Sequence, residues 1–289
     1  MEVSQLDPAV EAEFLARVES APRRLLLLDY DGTLAPFRVD RDTARPHPGV
    51  DARLREIAAA PRSRVVILSG RRAAEIRDLL RDGPELEIWG AHGAERFLPG
   101  RDLEMASAPA AAQRELAGTR AAILARLADR LHTLDPAEIE YRLELKPGGL
   151  AVHVRALPMI EALEFERAAR EEAHAWKALP PLRMLPFDGG LELRIPGPDK
   201  GDAVHAVLEG ESLGADAIAI ACLGDDATDE DAFRALPAAA LTLLVADTPR
   251  TTAARYRIGS GDGVLAFLSR WSTAVGGLRT RGPEAGGEP

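Results

Sequence analysis

No stretch constrains this chain more than Leu25-Leu26-Leu27-Leu28-Asp29-Tyr30-Asp31-Gly32-Thr33-Leu34. Four consecutive apolar residues bounded by a turn signal read as a strand buried on both faces, which delivers two carboxylates to a tight turn. Residues two apart on an extended strand point the same way, so Asp29 and Asp31 repel unless a cation neutralises them or one holds a proton. Oxygen ligands at a strand's carboxyl end suit a hard divalent ion such as Mg²⁺. The same residues also suit a solvated Asp-Gly turn closing a hairpin. Taken alone, this stretch leaves both readings open.

The 289 residues have room for one large domain or two modest ones. Aromatic content of 4% argues against stacking platforms for single strands, and a net charge of −10 argues against a nucleic-acid partner. The single Cys222 excludes an intramolecular disulfide. The apolar run at 25–28 is too short for a signal or a membrane span, so a cytoplasmic protein with no membrane partner is expected. Residues 272–289, rich in Gly, Pro and Glu toward their end, are expected to form a flexible tail.

Apolar runs alternate with helical patterns along the first third of the chain. A helix is expected at 8–20, then the strand at 25–28, a helix at 48–60, a strand at 64–68 ending in Ser69-Gly70-Arg71, a helix at 72–81 and a strand at 86–89. The last ends in Gly90-Ala91-His92-Gly93-Ala94-Glu95. This spacing predicts βαβ units and a parallel sheet, whose ligand site lies at the carboxyl ends of its strands. Ser69 suits a helix cap and equally a phosphate ligand at a helix start.

The middle of the chain breaks the pattern. A long helix at 109–134, strands at 138–145 and 149–155, a helix at 159–176 and strands at 182–186 and 190–195 predict an inserted α+β domain over 104–195 with an antiparallel sheet. The first domain is then expected to comprise 1–103 and 196–271. Within the insert Glu144 and Lys146 share one sheet face, as do His153 and Arg155. Such alternation suits a solvated face, and a face mixed in sign also suits a sugar. After the insert, Lys200-Gly201 opens a helix and the strand at 217–223 ends in Gly224-Asp225-Asp226-Ala227-Thr228-Asp229-Glu230. A capping Thr228 with acids in the first turn explains 228–230 but not Asp225 and Asp226.

Four strand or helix ends therefore bring carboxylates, a hydroxyl and a lysine to one crevice, a combination suited to a phosphoryl group lying against Mg²⁺. No Gly-x4-Gly-Lys-Ser/Thr loop is present, which leaves a carboxylate as the expected nucleophile. Asp-x-Asp-Gly-Thr, Ser-Gly-Arg, Lys-Gly and Gly-Asp-Asp-x-Thr-Asp-Glu, in that order, resemble the four motifs of the haloacid dehalogenase superfamily. With Gly90-Ala91-His92-Gly93-Ala94-Glu95, Glu144-x-Lys146, His153-x-Arg155 and Leu191-Glu192-Leu193-Arg194, the chain is similar to the trehalose-6-phosphate phosphatases over about residues 22–271.

The resemblance implies a Rossmann-like core with an α+β cap, and hydrolysis of trehalose 6-phosphate through an aspartyl-phosphate. It implies Asp29 as nucleophile and Asp31 as acid and base. Mg²⁺ would be held by Asp29, the Asp31 carbonyl and Asp225, with Asp226 and Asp229 shared or supporting. Thr33, Ser69, Gly70 and Lys200 would hold the phosphoryl group, and Arg71, His92, Glu144, Lys146, His153 and Arg155 the sugar phosphate. A trehalose-6-phosphate synthase is the implied protein partner. Open alternatives are a phosphatase for sucrose phosphate or glucosylglycerol phosphate, a phosphomutase with the same aspartyl chemistry, and a non-catalytic sugar-phosphate-binding regulator.

Overall fold

The computed structural model describes residues 3–105, 110–176, 181–187, 189–214 and 217–276. It divides into two units, Met1–Leu103 with Asp199–Pro289, and Glu104–Pro198. In chain order the first unit opens with α1 (Pro8–Ser20), β1 (Arg23–Leu28), α2 (Val50–Ala58), β2 (Ser63–Leu68), α3 (Ala73–Leu79), β3 (Glu87–Gly90) and β4 (Glu95–Phe97). The second unit carries β5 (Glu104–Met105), α4 (Ala110–Arg130), α5 (Pro136–Tyr141), β6 (Leu143–Lys146), β7 (Gly149–His153), α6 (Met159–Ala175), β8 (Arg183–Phe187) and β9 (Gly190–Arg194). The first unit resumes with α7 (Lys200–Glu209), β10 (Ile218–Gly224), α8 (Asp229–Ala235), β11 (Leu241–Val245), β12 (Tyr256–Ile258) and α9 (Asp262–Gly276).

The first unit is a doubly covered sheet. Its strands run β12-β11-β10-β1-β2-β3-β4, parallel from β12 to β3, with β4 antiparallel to β3. Leu26 and Leu28 of β1, with Tyr30 just beyond it, enter one hydrophobic cluster with residues of α1, α2, α3 and α9. Leu25 and Leu27 enter the opposite cluster with Ala203, Val204 and Val207 of α7 and Ala232 and Phe233 of α8. A strand covered on both faces has no solvent side, which is why its sequence shows no alternation. Because β1, β2 and β10 are parallel neighbours, Asp29, Ser69 and Asp225 follow strand ends that all face the same way.

The second unit is an antiparallel sheet in the order β6-β7-β9-β8. Leu143, Leu150, Val152, Leu191 and Leu193 pack with Leu116, Ile123 and Leu127 of α4 and Phe165 of α6. The period-two pattern therefore sends the intervening residues, Glu144, Lys146, Ala151, His153 and Glu192, to the other face.

Three expectations change. Residues 138–142, expected in a strand, end a helix, because Asp135 accepts from Ala137 N–H at 2.8 Å and Pro136 occupies the first turn. Residues 272–276, expected in the tail, belong to α9, where Ser272, Ala274 and Val275 are buried; residues 277–289 lie outside the described residues. The chain re-enters the first unit at Asp199 rather than at residue 196. Among the described residues no helix is long and apolar enough to cross a membrane.

Candidate active site

The site in the first unit is built around a buried lysine. Lys200, the first residue of α7, is 2% exposed and its Nζ donates to Asp29 Oδ1 at 2.6 Å and to Asp229 Oδ1 at 2.7 Å. Asp199 caps the helix, accepting from Gly201 and Asp202 N–H, and so fixes where Lys200 points. Burial by itself would lower Lys200; the carboxylates of Asp229 and Asp29 outweigh it and hold the ammonium charged. A buried charge is tolerable only with such partners.

Asp29 is 5% exposed, and its Oδ2 is buried without a hydrogen-bond partner among the described residues. One ligand atom from each of Asp29, Asp225 and Asp229 lies within 4.8 Å of the others. Burial, then the neighbouring carboxylates of Asp29, Asp229 and Asp226, push Asp225 up to about 10, and burial likewise raises Asp29 despite the pull of Lys200. One lysine does not neutralise this crowd. A buried, unpartnered carboxylate oxygen beside a second carboxylate is an oxygen-donor set that fits a hard divalent cation. Asp229 is less suited as a direct ligand, since Oδ1 takes Lys200 and Oδ2 accepts from Asp225 and Asp226 N–H at 2.9 and 3.1 Å.

Asp226 lies outside the carboxylate group. Its Oδ1 accepts from Thr228 N–H at 2.8 Å and from the Thr228 hydroxyl at 2.7 Å. Burial alone would raise it; Lys200 and the Thr228 hydrogen bonds outweigh burial and lower it. Thr228 makes no side-chain cap on α8, contrary to expectation; its hydroxyl donates to Asp226 instead. Two glycines keep the floor open: a Cβ on Gly32, at φ +80°, would lie 2.2 Å from Asp225 Oδ2, and one on Gly224 would lie 2.2 Å from Asp229 Cγ.

Asp31 stands apart from the lysine. Arg71 clamps it with both arms of the guanidinium, Nε to Oδ2 at 2.6 Å and Nη2 to Oδ1 at 2.8 Å, while Nη1 donates to the Arg41 carbonyl at 2.9 Å. Ser69, buried, accepts from Arg71 N–H at 3.1 Å, and Thr33 is fully buried with no hydrogen-bond partner for its hydroxyl among the described residues.

The Gly90–Glu95 segment supports the Ser69–Arg71 loop. Ala91 N–H donates to the Arg71 carbonyl at 2.7 Å and His92 N–H to the Ser69 carbonyl at 2.9 Å. To make these bonds Ala91 and His92 both take positive φ, 47° and 56°, a costly pair for residues other than glycine. The His92 ring lies over Gly70, where a Cβ would come within 2.6 Å of Cε1. Glu95, buried, accepts from Ala73 N–H at 2.7 Å and from Arg72 Nε at 3.1 Å, closing the start of α3.

In the second unit the polar face of the sheet is buried, with Glu144, Lys146 and Glu192 at 9%, 8% and 5% exposure, so it is not a solvated face. Ala151 pairs with Glu144 on one side and Glu192 on the other, and its small side chain leaves the two acids to flank Lys146. Lys146 Nζ lies 3.8 Å from Glu144 and 3.9 Å from Glu192, and His153 Nε2 lies 2.9 Å from Glu144 Oε2. Glu192 completes this face, a position that the alternation in Leu191-Glu192-Leu193 signals. Arg155 is elsewhere, its Nε 2.9 Å from where a Gly189 Cβ would sit on the β8–β9 turn.

Residues 27–257 match the model of the trehalose-phosphatase family. A trehalose-phosphate phosphatase of Mycobacterium avium is 34% identical over 253 residues, 85% of this chain and 61% of that protein. The chain thus spans about three-fifths of the length of that curated relative. A trehalose-6-phosphate phosphatase of Aspergillus fumigatus is 26% identical with a TM-score of 0.61, over 94% of this chain and 99% of that one. A haloacid dehalogenase-like hydrolase of B. subtilis shares the fold at 15% identity and a TM-score of 0.56, over 85% and 99% of the two chains.

Proposed function

The chain belongs to the trehalose-phosphatase family, and from that premise we propose that it hydrolyses trehalose 6-phosphate to trehalose and inorganic phosphate with a bound Mg²⁺. The observation that carries the reading is the buried Asp29, held through one oxygen by Lys200 and left without a partner on the other, beside Asp225.

Asp29 attacks phosphorus in line, and the bond from phosphorus to the sugar oxygen breaks as an aspartyl-phosphate forms. Asp31, two residues on, gives its proton to the departing sugar oxygen and then takes one from the water that attacks the aspartyl-phosphate. This regenerates Asp29 and releases phosphate. Lys200 faces the nucleophile and offsets the charge brought in by the phosphoryl group, and the Ser69 and Thr33 hydroxyls, with the Gly70 N–H, bind its oxygens. Mg²⁺, held by Asp29 and Asp225, supplies the charge neutralisation that lets a carboxylate approach a phosphate dianion.

The disaccharide is assigned to Glu144, Lys146 and Glu192, with His153 holding Glu144 in place. Acids flanking a lysine offer the mixed acceptors and donors that sugar hydroxyls require. A trehalose-6-phosphate synthase remains the expected protein partner of this reading.

Phosphate release from a panel of sugar phosphates, with and without Mg²⁺, tests the proposal. Preferred turnover of trehalose 6-phosphate, lost on chelation, is the expected result. Equal turnover of sucrose phosphate or glucosylglycerol phosphate would reassign the substrate, and metal-independent turnover would remove the cation from the scheme.

A further inference from the structure

Arg250 lies beyond the motifs described above, in the loop after β11. Its Nη2 donates to the carbonyls of Asp225 and Asp226 at 3.1 and 3.0 Å, and its Nη1 donates to Glu230 Oε1 at 2.8 Å and to the Thr251 carbonyl at 3.1 Å. Glu230, 7% exposed, uses its other oxygen to accept from Ala253 N–H at 2.6 Å. The loop that carries Arg250 is therefore fastened to α8 at two points by one buried carboxylate.

The turn that carries Asp225 is gripped from both sides. Its two N–H groups are held by Asp229, and its two carbonyls are held by Arg250. Only a planar guanidinium can reach a carboxylate with one nitrogen and two carbonyls with another; a lysine, with a single charged nitrogen, cannot span the same set. The hydrogen bonds from Arg250 to this turn go to its backbone carbonyls. What the contacts fix is the direction in which the Asp225 side chain leaves the turn, and hence its approach to Asp29.

We infer that Arg250 and Glu230 are a positioning pair for the metal site, holding the Asp225–Asp226 turn so that the Asp225 carboxylate meets that of Asp29. This rests on the reading that a divalent cation binds there. Groups that orient a metal ligand without touching the metal typically change affinity by about 10- to 100-fold when altered. Glu230 thereby acquires a role different from that of an acid in the first turn of a helix.

Calorimetric titration of the full chain with MgCl₂ alone, without substrate, tests the inference on wild type, Arg250→Lys and Glu230→Gln. The expected result is Mg²⁺ affinity about 10-fold or more weaker in Arg250→Lys and several-fold weaker in Glu230→Gln. At saturating Mg²⁺, KM for trehalose 6-phosphate should stay within about twofold of wild type, which separates the effect from general damage to the site. Circular dichroism melting without metal reports whether each variant folds, and Glu230→Gln preserves the side-chain shape should Arg250→Lys unfold. Wild-type affinity in a folded variant of either kind would overturn the pairing. Absence of Mg²⁺ binding in wild type would instead remove the metal reading, and this inference with it.

Discussion

At the scale of single residues, the two aspartates of the first strand end have been given opposite surroundings. Asp29 faces a buried lysine, and Asp31 faces an arginine fork that occupies both of its oxygens. To pass a proton to a leaving group, Asp31 must bring one oxygen off that fork, so Arg71 sets where the carboxyl waits. Replacing Arg71 by Gln should lower turnover of a sugar phosphate by up to about 100-fold, while an aryl phosphate, whose leaving group needs no proton, should lose far less. Equal losses would mean that Arg71 acts on the phosphoryl group instead. Asp225 gives a second prediction. Its folded-state value is raised from 3.8 to about 10, so the stability it contributes is full below about pH 3.8 and is lost as the pH rises through about 10. The cation-free protein should therefore lose stability across that window, and Mg²⁺, by neutralising the carboxylate, should raise Tm more at about pH 9 than at about pH 5. A flat or opposite trend would contradict the crowding of Asp225.

At the scale of elements, legibility followed how local the cause was. The strand ends of β1 and β10 could be read because an apolar run covered on both faces and the acidic turn after it are contiguous in sequence. α5 could not: Ile139, Tyr141, Leu143 and Leu145 alternate like a strand, yet Asp135 and Pro136 start a helix that ends at Tyr141. β4 and β12 are three residues each, too short for a pattern of their own. The supporting contacts were hidden for another reason. Glu95 lies 22 residues from the Ala73 N–H that it accepts, and Arg250 lies 24 from the Asp226 carbonyl, distances over which only the fold supplies the pairing. Glu95→Ala should cost about 1–2 kcal/mol by urea unfolding, the value of a helix start left without its acceptor, with partial recovery in Glu95→Gln. A change below about 0.5 kcal/mol would show that water replaces the carboxylate at no loss.

At the scale of the whole molecule, two units with separate hydrophobic clusters divide the labour. On the proposed reading the reacting groups, Asp29 and Asp31, stand on the first, and the buried polar sheet face assigned to the sugar stands on the second. Glu144→Ala should raise KM for trehalose 6-phosphate about 10-fold while leaving KM for an aryl phosphate near its wild-type value; parallel changes would reduce Glu144 to a support for the sheet. The central claim, that Asp29 is the nucleophile of a trehalose 6-phosphate phosphatase, is tested most directly by one assay. Trehalose and phosphate released from trehalose 6-phosphate are measured for wild type and Asp29→Asn at saturating Mg²⁺. Turnover by wild type and a loss of at least about 1,000-fold in Asp29→Asn is the predicted result; wild-type turnover in Asp29→Asn, or none in wild type, would contradict it.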